Sequence, residues 1–452
     1  MHPKGYNVHS SEARNALLSA IGLGSVDELF QLIPDAIRLK APLKLPEARS
    51  EWELEKHMRR LAGRNSNARS HACYLGGGFY DHHIPAAVDA VVSRGEFLTA
   101  YTPYQPEMSQ GLLQVLFEYQ QAISKIVGLP IVNSSSYDGA TAMAEVAWIM
   151  VQAKKLNRVA VSAGLWPEHR RVLDTYCAGR NVEIITIPTS ESGSLDPAAL
   201  ARTLRETSVS GCIVQSPNCF GVIEDVGSLN AAAKQAGVLF ALSYNPWLSG
   251  LFTTPGELGV DLVCGEGQVF GIPLSAGGPS LGLLAVRRDL RQFMPGRIIG
   301  RVADIYGNPA YAMVYEDREQ HVARERATSN LCSNQALNAI RSAVYLSLLG
   351  ETGFSEVASL IQRKTYYLID CLEKIPGVKL AYRNPVFNEF LLRVPVEVEG
   401  LLRHLETRQI FGGLNGAMVE RPGHLLVAVT ENKSRQDLDS FASHFREYVS
   451  NS

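Results

Sequence analysis

The stretch DLVCGEGQVFGIPLSAGGP, residues 261–279, decides the fold. An aspartate borders an apolar run, a short polar segment follows, and Gly277-Gly278-Pro279 turns the chain into a second apolar run at 281–287. Apolar runs this short, bounded by turn residues, predict strands buried on both faces. Similar runs lie at Arg158–Ser162, 183–188, 211–215, 238–242 and 261–264, and Gly282–Val286 follows them. Helical stretches at 168–177, 197–207 and 229–237 separate the first four. Buried strands joined by helices predict an α/β fold around a parallel-rich sheet.

The flanks read differently. Residues 11–65 are rich in Leu, Glu, Arg and Lys and broken at Pro34, Pro42 and Pro46, which predicts a helical arm. Glycine and proline punctuate 75–106 and predict a structured loop region. From Glu107 the pattern turns helical, with Met108, Leu112, Val115, Tyr119, Ile123 and Ile126 on one apolar face. A helix at 336–349 leads to strands at 389–394 and 425–430 and a last helix at 435–449. The expected organisation is a helical arm (1–70), a large α/β domain (71–330) and a small C-terminal α+β domain (331–452).

Composition narrows the class. A net charge of −2 over 452 residues offers no general attraction to nucleic acid or anionic lipid. No apolar run is long enough to span a bilayer, and MHPKGYNVHSSEARN lacks the apolar core of a signal peptide. Seven cysteines without a CxxC pair suit reduced, buried thiols in a cytoplasm, with neither disulfide framework nor zinc. His82-His83 stand without other metal-type spacing, so a structural or interface role is expected and no metal.

Four further segments are distinctive: LGGGFYDHHIP (75–85), EFLTAYTPYQPEMSQG (96–111), SSSYDGATAMAE (134–145) and REQHVARERATSN (318–330). With GEGQ (265–268), they resemble the glycine cleavage system P-protein, glycine dehydrogenase (decarboxylating), from about residue 11 to the C-terminus. That resemblance implies an aminotransferase-like fold of the pyridoxal phosphate (PLP) enzymes, fold type I. In such enzymes the segment after residue 261 carries the Schiff-base lysine. Here that position is Gln268 or Val269, and no lysine occurs between Lys234 and Lys364. A neutral amide cannot form an imine with an aldehyde. The acid that normally faces the pyridine nitrogen is also missing, since the residues there are Ala241, Leu242 and Ser243.

The missing lysine makes the chain resemble subunit 1, the α subunit of the two-chain P-protein. The resemblance then implies that subunit 2 binds PLP covalently, in an α2β2 assembly that decarboxylates glycine. The aminomethyl group passes to the lipoyl arm of the H-protein. Tyr101, Thr102, Tyr104, Gln105 and Glu107, with Arg326, Thr328, Ser329 and Asn330, are expected at the shared site or the interface. Ser136, Gly139 and Thr141 are expected to form a vestigial phosphate loop. Arg326 stands where the family often has lysine, and Val269 where it more often has proline. Loops 75–85 and 97–106 are expected to be apolar faces that a partner covers. The alternative is a non-catalytic scaffold or regulatory pseudoenzyme of the same fold.

Overall fold

The computed structural model describes residues 10–452 other than 40 and 42, so the break expected at Pro42 and the first nine residues lie outside it. Two compact units divide at residues 66 and 67. In the first, Ser11–Ala20 is a helix capped by Ser10, and Glu51–Ala62 is a helix whose Ser50 and Glu53 form a reciprocal capping box. Leu18 is buried, whereas Leu32, Ile37, Leu45 and Trp52 are exposed.

The second unit is built on a seven-stranded sheet. Its spatial order is Ile131–Val132, Gly282–Val286, Leu262–Glu266, Leu239–Tyr244, Gly211–Ser216, Arg158–Ser162, Glu183–Ile187. The last five are mutually parallel; Gly282–Val286 runs antiparallel to them, and Ile131–Val132, antiparallel to Gly282–Val286, points the same way as the five. Helix Gly139–Lys154 lies against this sheet and is buried almost all round, which its Ala- and Met-rich composition permits. A smaller antiparallel sheet of four strands includes Glu389–Arg393 and His424–Ala428, packed on helices Val398–Thr407 and Arg435–Asn451.

Several expectations are corrected. The helix after Glu107 begins at Gln110, behind a 3-10 turn at Pro106–Met108, and Glu107 is exposed. Its buried face is Leu113, Leu116, Tyr119, Gln120, Ile123 and Val127; Met108 stands 78% exposed. Of the expected face, Tyr119 and Ile123 are buried and Leu112, Val115 and Ile126 pack against the core partly buried; the face is displaced towards Leu113, Leu116 and Val127 because nearly every position from 112 to 117 is apolar. A helix at Ala86–Val92 replaces the expected loop there. The helix at 336 runs on to Leu372 through a break at Gly350, whose φ of 63° and ψ of −179° leave the helical region. The antiparallel hairpin Ile298–Ala303 with Pro309–Val314 had no sequence expectation.

Loop 75–85 is not an open apolar face. Tyr80 is 7% exposed, and its hydroxyl donates to Glu389 Oε2 at 3.0 Å. The Gly77 amide donates to Glu389 Oε1, and a Cβ on Gly76 would lie 1.9 Å from that oxygen. His82 Nδ1 lies 2.7 Å from Glu431 Oε2, and the His83 amide donates to Oε1, so this histidine pair ties the loop to the C-terminal sheet.

Candidate functional site

At the C-terminal end of the parallel strands, a cavity of about 40 Å3 is walled by Gly78, Trp166, His169, Ser243, Glu266 and Val269 among others. This is where ligands of open α/β sheets bind. It opens beside the first turn of helix Gly139–Lys154, whose unpaired amides favour anions.

Those amides are already satisfied by the chain's own carboxylates. Asp138 Oδ1 accepts from Thr141 N at 2.7 Å, and Glu266 Oε2 accepts from Gly139 N at 2.9 Å. Glu266 Oε1 accepts from Gln268 N at 3.0 Å and Leu281 N at 3.3 Å, and from the Ser280 hydroxyl. Gly139 allows this approach, because a Cβ there would meet the Gly265 carbonyl at 3.0 Å. Ser136 is fully buried and exchanges backbone hydrogen bonds with Gly282.

Gln268 is a clamp. Its Oε1 accepts from Tyr80 N at 3.0 Å, and its Nε2 donates to Tyr80 O at 3.1 Å and Ile272 O at 2.7 Å. Val269 faces the cavity. A covalent PLP does not fit these residues. No lysine lines the cavity, Ser243 offers no carboxylate, and Glu266 would repel a phosphate.

A second cleft, of about 130 Å3, lies between Tyr101, Thr102, Ser134, Ser135, Arg297, Cys332, Ser333 and Asn334. Two of the distinctive segments, 96–111 and 134–145, line it, and a third, 318–330, reaches Tyr104 and Arg297 beside it. Thr102 Oγ1 is 2.7 Å from Ser333 Oγ, Arg297 Nη2 donates to the Tyr104 hydroxyl at 3.1 Å, and Tyr104 packs on His321 with centroids 4.4 Å apart. Ser134 N donates to the Arg297 carbonyl at 2.8 Å. Ser329 is buried and donates to Glu145 Oε1 at 2.7 Å, pinning the end of the third segment to the central helix. Thr328 donates to Met294 O at 3.4 Å. Tyr101, Gln105, Glu107, Arg326 and Asn330 are exposed, with Arg326 3.8 Å from Glu325.

The hub is Arg297, absent from the expected residues. It is 5% exposed, lies 3.1 Å from Glu319 Oε2, and takes a φ of 68°. Its amide donates to Glu319 Oε1 at 2.9 Å, and Gly296 admits Glu319, since a Cβ there would meet its Cγ at 2.2 Å. A buried arginine in left-handed backbone marks a position held by its surroundings. The turn signal Pro295-Gly296 directly before Arg297 was the available clue.

Three carboxyls are buried without a cation: burial pushes Glu224, Glu266 and Glu389 each up to about 7, despite the donors they accept from. Folded pKa values above the unfolded range mean that folding takes up protons. Their stabilising contribution is full below the unfolded value and is lost as pH rises from about 4.5 to about 7. Buried His169, held below its usual range by desolvation, opposes this as pH falls below about 6.5. The melting temperature is expected to be higher at about pH 5.5 than at about pH 8, by calorimetry in matched salt; the opposite slope would refute the assignment.

All seven cysteines are free, and five are buried. His404, His444 and Glu447 lie within 4.8 Å of one another, but Arg408 also holds Glu447 at 3.0 Å, which makes the cluster an ion-pair network on two packed helices. No helix among the described residues is long and apolar enough to cross a membrane.

Residues 5–445 match the family described as glycine cleavage system P-protein. The probable glycine dehydrogenase (decarboxylating) subunit 1 of Desulforamulus reducens is 43% identical over 96% of this chain and 98% of its own. The protein of the same name from Desulfitobacterium hafniense is 43% identical over 96% and 97%. The crystal structure of a glycine decarboxylase (P-protein) of the glycine cleavage system, in inhibitor-bound form, superposes with a TM-score of 0.88 at 37% identity, covering 98% of this chain and 99% of the other. A glutamate decarboxylase of Lactobacillus brevis, at 13% identity and a TM-score of 0.69, shares the fold, that of the type I PLP-dependent transferases.

Proposed function

This chain belongs to the glycine cleavage system P-protein family, and on that premise we propose that it is the subunit without the Schiff-base lysine of a two-chain glycine dehydrogenase (decarboxylating). Its partner is the lysine-bearing subunit 2, in an α2β2 assembly that is cytoplasmic. PLP is held covalently by the partner and supplies the electron sink for glycine decarboxylation. The aminomethyl product passes to the lipoyl arm of the H-protein.

The observation that carries this reading is the misfit of the sheet-end cavity: Gln268 and Val269 where a lysine would stand, and a carboxylate at the helix start. Chemistry must then occur on another chain. This chain's own work is to present the cleft around Arg297. The Tyr104 hydroxyl accepts from Arg297 and keeps its proton to donate outward. Thr102, Ser333 and Asn334 add hydroxyl and amide groups at the same wall. Tyr101, Gln105 and Glu107, exposed on the neighbouring loop, and Arg326, Thr328 and Asn330, on the loop that buried Ser329 anchors before the helix at 336, complete the surface offered to the partner.

Two measurements test this. Incubated alone with PLP, the chain is expected to yield no stoichiometric borohydride-fixed adduct on any one lysine and no glycine–bicarbonate exchange. Co-expressed with the lysine-bearing subunit, it should restore exchange with one PLP per pair, fixed to the partner. Exchange by this chain alone would refute the reading. Exchange by the partner alone, undiminished, would establish the scaffold alternative instead.

A further inference from the structure

We propose that the Glu266 carboxylate is a built-in anion occupying a phosphate-type seat, and that its removal opens that seat to a phosphate monoester. The seat is complete without the carboxylate. Gly139 N at the helix start, Gln268 N, Leu281 N and the Ser280 hydroxyl all converge on its two oxygens. Converging amides at a helix N-terminus form the usual cradle for a phosphate. A buried glutamate with no cation beside it costs folding free energy, so its presence needs a compensating set of donors, and this cradle provides one.

A second observation points to a ligand site. His169 is 7% exposed, stands on the cavity wall, and its Nδ1 has no hydrogen-bond partner. Trp166 and His169 flank Gly78 and give that wall two flat rings. Such a wall suits a planar heteroaromatic group beyond a phosphate, yet Glu266 stands at the phosphate end. Asp138, which already caps Thr141, adds a like charge, so an external anion meets two carboxylates.

The consequence rests on the reading that the partner holds the cofactor: Glu266 keeps this subunit from competing for it. The binding test needs no partner and so fails independently of that reading. At about pH 8, above the range to which burial raises this carboxyl, the full-length wild type should bind neither inorganic phosphate nor PLP non-covalently in calorimetric titrations. Glu266→Ser should bind both at least roughly ten-fold more tightly, one per chain, a gain of about 1.4 kcal/mol. Glu266→Gln fills the same space, although its single amide oxygen accepts from only one of the two groups of donors, and should stay non-binding.

If Glu266→Ser is too unstable to titrate, its melting temperature should still rise in phosphate more than in chloride of equal ionic strength, while that of the wild type does not. Stoichiometric phosphate binding by the wild type would overturn the proposal. So would a Glu266→Ser protein that phosphate neither binds nor stabilises beyond the wild type.

Discussion

Tyr104→Phe in the assembled two-chain enzyme is expected to lower turnover by roughly ten- to a thousand-fold, the usual effect of losing one positioned donor. Its hydroxyl accepts from Arg297, and its ring lies over His321, so the phenol is fixed before any substrate arrives. A side chain held in place on one face and 36% exposed on another is available to a group supplied by a partner chain. Substitution by phenylalanine removes one oxygen and leaves the ring contact with His321, so subunit assembly and PLP content should be unchanged. Steady-state exchange kinetics, with sedimentation and cofactor content measured in parallel, give the result. Full activity would remove Tyr104 from the mechanism. Loss of assembly, with normal activity in whatever assembles, would make the loop an interface element.

Arg297→Met is expected to destabilise this chain by about 3–5 kcal/mol, the cost of leaving a buried partner charge unpaired. The Glu319 side chain is 2% exposed and would retain the amide of residue 297 and His321 at 3.4 Å, neither of which replaces a guanidinium. The same change frees the Tyr104 hydroxyl and loosens the turn joined to Ser134. Denaturant unfolding of the isolated chain measures the first effect. If Arg297→Met,Glu319→Gln recovers most of the stability but not the turnover, the arginine positions Tyr104 in addition to pairing with Glu319. A single variant as stable as the wild type would show that the pair contributes nothing.

The alternation of short apolar runs and helices was enough for six of the seven strands of the large sheet; the edge strand Ile131–Val132 had no expectation. Arg158–Ser162 and Gly282–Val286 match the expected bounds, and the other expected strands differ by a residue or two at an end. Strands buried on both faces are continuous apolar strings, a local signal that survives without knowledge of neighbours. The lysine gap was likewise a property of residue identity alone. Resemblance carried in four short strings was sufficient for the family.

What only the tertiary structure decided is which groups meet. Gln268 reaches Tyr80 across 188 positions, Glu389 reaches Gly77 across 312, and Thr102 reaches Ser333 across 231. No period or spacing encodes such pairs, because they follow from how the C-terminal sheet and the loops at the strand ends pack together. The rotated face of Gln110–Val127 has the same origin: with apolar residues on most sides, burial is settled by what packs against the helix. Glu266 looked like one polar letter in a glycine-rich turn. Folding places it on the amide of Gly139, 127 positions away, where a helix end and a buried carboxylate satisfy one another.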